Sequence, residues 1–122
     1  MAKGEMSQQV QDQMGRLQQL QNQLQVVQQQ RQQVEQRLKE VQEALEELDN
    51  TTDKTPIYKS VGSVLIKAEG KNKIVEELNS NKESLNLRKN SLNKQEGQTR
   101  EKINELQSKV QNALSMSGGA NA

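Results

Sequence analysis

Two long stretches of the chain repeat apolar side chains at alternating spacings of three and four, and a short stretch between them repeats at a spacing of two. With Val10 taken as heptad position a, the a series runs Val10, Leu17, Leu24, Arg31, Leu38, Leu45, and the d series Gln13, Leu20, Val27, Val34, Val41, Leu48. Ten of these twelve positions are apolar, so the stretch predicts a helix with one narrow apolar seam, the pattern of a coiled coil. From Val75 the a series is Val75, Lys82, Lys89, Glu96, Ile103, Val110, and the d series Leu78, Leu85, Leu92, Thr99, Leu106, Ala113. Eight of these twelve are apolar and the polar ones cluster in the middle. A second, less continuous seam is predicted there, with lysine stems covering part of it.

The intervening stretch alternates: Ile57 to Val61 and Val64 to Ala68 flank Gly62-Ser63. A two-residue loop with glycine first fits a type II′ hairpin turn. That turn pairs Val61 with Val64, Lys59 with Ile66 and Ile57 with Ala68 on one face, and leaves Tyr58, Ser60, Leu65 and Lys67 on the other. A lone two-stranded hairpin is marginal in water and has two open edges. Either it folds back on the neighbouring helix ends or it completes a sheet with strands from other subunits; the second reading is favoured because seam and strands occupy opposite parts of the molecule, and it makes Ile57, Tyr58, Val61, Val64, Leu65 and Ile66 the candidate subunit-interface residues.

Helix ends follow from local chemistry. Ser7 is the predicted first N-cap, the run Asp49 to Pro56 ends the first helix, Asn72 caps the second ahead of Glu76 and Glu77, and Ser117-Gly118-Gly119 stops it. The chain thus reads as one domain over residues 1–122: a helix over 7–49, a linker and hairpin over 50–70, a helix over 72–116 and a flexible tail over 117–122. Each helix is about 60 Å long at about 1.5 Å per residue. Gly15 and Gly97 soften them at a cost of about 1 kcal/mol each. The hairpin folds the helices back antiparallel. A register in which paired positions sum to 123 sets Leu45 opposite Leu78, Leu17 opposite Leu106 and Val10 opposite Ala113. In it Arg31 and Glu96 stand one layer apart, close enough for a contact across the seam that sets register. The fold class is mainly α: a long antiparallel two-helix coiled coil with a central β-hairpin.

Composition removes the alternatives. Hydrophobic residues make up 30%, Phe and Trp are absent and mean hydropathy is −1.03, too few bulky side chains for a globular core. Sixteen of the twenty glutamines fall between Gln8 and Gln42, yet the regular seam through them excludes a structureless low-complexity tract. Net charge is +1, which points to no nucleic acid and no membrane partner. Residues 1–49 carry 5 basic and 8 acidic groups and residues 50–122 carry 12 and 8, the balance either of two segments that pair or of two separately solvated faces. With no Cys and no His, disulfides, thiolate metal sites and the usual nucleophile-base sets cannot be built. Gly70-Lys71 is no phosphate loop, because Leu65 stands where the first glycine belongs and Asn72 where Ser or Thr is needed. The reading is no enzyme, no cofactor and no metal, and, without an apolar leader segment, a cytoplasmic location.

The order of long helix, Thr-Pro-Ile-Tyr-Lys-Ser-Val-Gly-Ser-Val-Leu-Ile-Lys and long helix resembles the β-type subunits of the prefoldin family. The elements that carry the resemblance are Ala44-Leu45-Glu46-Glu47-Leu48 at the first helix exit, Tyr58-Lys59-Ser60-Val61-Gly62, and Glu77-Leu78 through Leu92 to Lys94-Gln95-Glu96. The resemblance implies a hexamer of two α-type and four β-type subunits whose hairpins join into intersubunit β-barrels. It also implies ATP-independent binding of unfolded proteins and their delivery to a chaperonin.

Folding back brings both chain ends together, with Met6, Val10, Met14, Leu17, Val110, Leu114 and Met116 as the apolar residues there. These are the candidate client-binding residues, because helix ends fray and methionine adapts to varied partners. Met14 and Met116 lie off the seam and lead the set. The alternative is a structural coiled-coil scaffold or tether that binds one specific folded partner.

Overall fold

The computed structural model describes residues 2–120, with side chains over 8–116. Its elements are α1 (Ala2–Asp49), β1 (Tyr58–Val61), β2 (Val64–Lys67) and α2 (Lys71–Ala120). The helices overrun their expected ends: α1 begins before Ser7, and α2 passes through Ser117-Gly118-Gly119 to Ala120 instead of giving way to a tail at 117. Once a helix is propagating, each residue adds a hydrogen bond, and a local penalty of about 1 kcal/mol does not stop it. Gly15 and Gly97 are carried inside the helices for the same reason. Gly70, rather than Asn72, flanks the start of α2, its carbonyl accepting from the Ile74 N–H at 3.4 Å.

The chain divides into two compact units, one of residues 1–31 and 91–122, the other of residues 32–90. In the first, α1 and α2 are covered along the two heptad series and exposed between them, apart from Gln28 and Gln30. Leu92, Ile103 and Val110 are buried most deeply. Thr99 sits in this seam by turning its hydroxyl back to the Gln95 carbonyl at 2.8 Å, which satisfies a polar group that the seam would otherwise strand. In the second unit the seam continues through Val34, Leu38, Val41, Leu45 and Leu48 of α1 and Val75, Leu78, Lys82, Leu85 and Lys89 of α2. Val34 and Leu48 are its buried residues.

Within each unit the helices pair antiparallel. Gln28 with Glu96 in one, and Lys82 with Gln42 at 2.8 Å in the other, join positions that sum to 124. Both lie within one residue of the register of 123. A seam leucine, isoleucine or valine is worth about 1.5–3 kcal/mol when fully withdrawn from water, so a single line of such residues accounts for each pairing.

The hairpin matches its predicted register: Tyr58 with Lys67, Lys59 with Ile66, Ser60 with Leu65 and Val61 with Val64, extended by the Ala68 N–H donating to the Ile57 carbonyl at 2.8 Å. Gly62 has φ of +61°, and no non-glycine residue among those described has positive φ. One left-handed residue followed by an ordinary one is the type II′ arrangement. α1 tightens before the hairpin, the Asn50 and Thr51 N–H groups donating to Glu47 and Leu48 carbonyls and the Thr51 hydroxyl also reaching the Leu48 carbonyl. Lys71 then satisfies the Thr51 carbonyl at 2.9 Å, which fixes where α2 begins.

Candidate functional site

Two apolar surfaces stand out, one in each unit. The first is the hairpin. Tyr58, Val61, Val64, Leu65 and Ile66 are all exposed, Leu65 to 71%, and only Ile57 and Ala68 at the hairpin base are half-buried. Lys59, Val61, Val64 and Ile66 share one face, Tyr58, Ser60, Leu65 and Lys67 the other, because strand residues alternate. Among the described residues the sheet has two strands, so each strand has one outer edge without a ladder partner there.

The hairpin is held at its base. Lys59 Nζ lies 3.0 Å from Glu77 Oε2, an exposed pair worth little energy that nonetheless limits where β1 leans. Ile57 and Tyr58 border a groove of 460 Å³ whose other walls include Ala44, Leu48, Ile74 and Leu78. Beyond that groove the strands carry apolar side chains that this unit does not cover. Such an exposed β-edge with an apolar face is a template for pairing with another chain.

The second surface belongs to the unit of residues 1–31 and 91–122. Met14, Leu114 and Met116 are exposed, Met116 to 73%. Val10 and Leu17 are half-buried and Val110 is buried, because they occupy the seam. The side chain of Met6 lies outside the described residues. Met14 shares a helix face with Val10 and Leu17, four residues before and three after it. The seam here is imperfect: Gln13 occupies a d position and its Oε1 is buried with no hydrogen-bond partner among the described residues.

Further into that unit, Glu96 forms a polar crosslink. Its carboxylate accepts from Arg31 Nε at 2.8 Å, Arg100 Nη2 at 3.1 Å and Gln28 Nε2 at 3.5 Å. The Arg100 hydrogen bond, with those of Gln28 and Arg31, holds the Glu96 carboxyl below its usual pKa against the opposing effect of burial. The Arg31 contact is the one anticipated from the register. Gln28 and Arg100 were not legible in the heptads, although Arg100 stands four residues after Glu96, the usual spacing of a helical ion pair. Val26 and Leu87 are large apolar residues exposed away from the seam, and the heptad series assigns them no partner.

No group of His, Cys, Asp or Glu suited to a metal ion occurs among the described residues. No described helix is long and apolar enough to cross a membrane. The described residues thus present two exposed apolar surfaces: an open β-edge in one unit and an apolar helix-pair end in the other.

Comparison with known proteins identifies the family. A sequence model of the family described as "prefoldin subunit" matches residues 11–116. A protein of Archaeoglobus fulgidus named prefoldin subunit beta is 47% identical over 116 residues, covering 95% of this chain and 99% of the relative. One of the same name from Thermoplasma volcanium is 36% identical over 64 residues, 52% of each chain. The crystal structure of the prefoldin beta subunit from Thermococcus strain KS-1 superposes with a TM-score of 0.78 at 42% identity, covering 87% of this chain and 92% of that one. The beta2 subunit from the same source, 22% identical with a TM-score of 0.68 over 75% of this chain and 97% of that one, shares the fold.

Proposed function

The chain belongs to the prefoldin family of chaperone subunits, among its beta subunits, and from that premise we propose that it is an ATP-independent holdase subunit of the cytoplasm. It binds unfolded polypeptides at the end carrying Met14, Leu114 and Met116, and passes them to a chaperonin. Val10, Leu17 and Val110 join the contact as the helix ends open, together with Met6. The hairpin residues Ile57, Tyr58, Val61, Val64, Leu65 and Ile66 assemble it with α-type partners into a hexamer of two α and four β subunits. The protein is not an enzyme and takes no cofactor.

One observation carries this reading: large exposed apolar side chains gather on the hairpin and at one end of the other unit. Several weak apolar contacts displayed together hold a flexible client by avidity and release it readily. Methionine suits this task, since its unbranched side chain fits varied partners.

Removing the first ten and last ten residues tests the assignment. Native mass measurement after mixing with α-type subunits should still show the full assembly, while suppression of aggregation of a denatured client falls severalfold. Undiminished suppression by an intact assembly of truncated chains would sink the client-site assignment. A sharp complex with one folded partner and no effect on denatured proteins would favour a scaffold instead.

A further inference from the structure

The sequence holds four methionines, at positions 1, 6, 14 and 116, and no cysteine. All four fall in the unit of residues 1–31 and 91–122, and residues 32–90, which include the hairpin, contain no sulfur. Thioethers and thiols are the side chains that peroxides oxidise most readily, and exposure governs which of them react. Met14 is 54% exposed and Met116 73%. We propose that Met14 and Met116 are sites of reversible oxidation by peroxide, and that their sulfoxides turn off apolar binding while leaving assembly through the hairpin intact. The second half of this statement rests on the client-binding reading above.

The chemistry balances with hydrogen peroxide as the oxidant. A sulfur lone pair attacks one peroxide oxygen, the S–O bond forms as the O–O bond breaks, and the departing oxygen leaves as water after proton transfer within the peroxide. Sulfur loses two electrons and the peroxide gains them. A thiol-dependent sulfoxide reductase runs the return step, in which two thiols become a disulfide and the sulfoxide oxygen leaves as water.

The consequence follows from placement. Neither methionine belongs to the heptad seam, so a sulfoxide at either adds a strong dipole to the surface without entering the helix-pair interior. At Met14 the dipole lands between Val10 and Leu17 on one helix face and breaks the apolar strip they form. A flexible apolar contact becomes a polar one, whereas the sulfur-free hairpin unit is chemically untouched by the same treatment.

The test uses the full chain assembled with its partner subunits. The complex is treated with hydrogen peroxide, the peroxide is destroyed with catalase before client is added, and three quantities are read: methionine sulfoxide by peptide mass mapping, assembly by native mass, and suppression of aggregation of a denatured client. The wild type should gain one oxygen at Met14 and at Met116, keep its assembly mass, and need about fivefold more complex for half-suppression, because weakened contacts multiply across a multivalent display. Sulfoxide reductase should reverse the loss. M14L/M116L, which keeps Met1 and Met6, should lose clearly less suppression to peroxide than the wild type. Absence of sulfoxide at both sites, full suppression after complete oxidation, or equal loss in M14L/M116L would each overturn the proposal. The untreated variant M14Q/M116Q separates the two levels of the argument. If it loses suppression while the wild-type methionines resist peroxide, only the oxidation is wrong; if it retains full suppression, the assignment of these methionines as client contacts is wrong.

Discussion

Leu92→Ala and Leu87→Ala are chemically identical substitutions five residues apart on α2, and the structure assigns them very different costs. Leu92 fills a d position and is 5% exposed, whereas Leu87 faces outward at 66%. Truncating a buried leucine costs about 2–5 kcal/mol, more where the cavity cannot collapse. A two-helix seam has solvent close beside it and relaxes well, so Leu92→Ala belongs at about 2–3 kcal/mol. Unfolding entropy of about 2.1 cal/mol/K per residue gives about 0.26 kcal/mol/K for a chain of 122 residues. The expected fall in Tm is therefore about 8–12 °C for Leu92→Ala. For Leu87→Ala the change is within about 0.5 kcal/mol, or about 2 °C, since alanine is at least as good a helix former and little burial is lost. Thermal melts followed by far-ultraviolet circular dichroism, at matched concentration and assembly state, read both values. Equal shifts in the two variants, or a loss below about 2 °C at Leu92, would refute a stability built on the seam.

Two further outcomes follow from local geometry. Gly62→Val should destabilise the hairpin by about 1–2 kcal/mol although a Cβ there meets nothing within 4 Å, because the cost lies in the positive φ and not in crowding; Gly62→Asn should recover most of it, and equal losses in melting and native-mass assembly assays would contradict that cause. Glu96, whose pKa is lowered from 4.5 in the folded chain, contributes stability that is complete above that value and disappears as pH falls through the lower folded value. The Tm gap between wild type and Glu96→Gln should then be constant near neutrality and close in acid, and a gap that persists or widens at low pH would exclude the carboxylate as its source.

Much of this molecule could be read from spacing alone, for a physical reason. A heptad series states which side of a helix must leave water, and each assigned seam position, polar Gln13, Lys82, Glu96 and Thr99 included, is covered in the structure. The hairpin register was equally legible, since Gly62 in a two-residue loop leaves few turn types. What spacing did not reveal is where long side chains reach. Lys59 to Glu77 and Lys71 to the Thr51 carbonyl span eighteen and twenty residues, and no periodicity links such pairs because only the folded backbone brings them together. Helix ends were misplaced at Ser7, Asn72 and Ser117 because caps bias an ending without imposing one. Of the candidate client residues, composition could name Met14 and Leu114, but the contrast between their exposure and the burial of Val110 needed the helix pair itself.

The antiparallel pairing also dictates an order of events during folding. Hydrogen bonds distant in sequence close loops of increasing size: 20 residues for Lys71 with Thr51, 40 for Lys82 with Gln42, and 68 for Gln28 with Glu96. Loop-closure entropy grows as the logarithm of length, so starting at the largest of these loops costs about 1 kcal/mol more than starting at the smallest, or roughly sixfold in nucleation rate. Once the pair beside the hairpin has formed, each later pair closes only a short additional segment. Loop closure thus predicts zipping from the turn towards the termini, with the segments carrying Met14 and Met116 expected to show the least protection in hydrogen exchange.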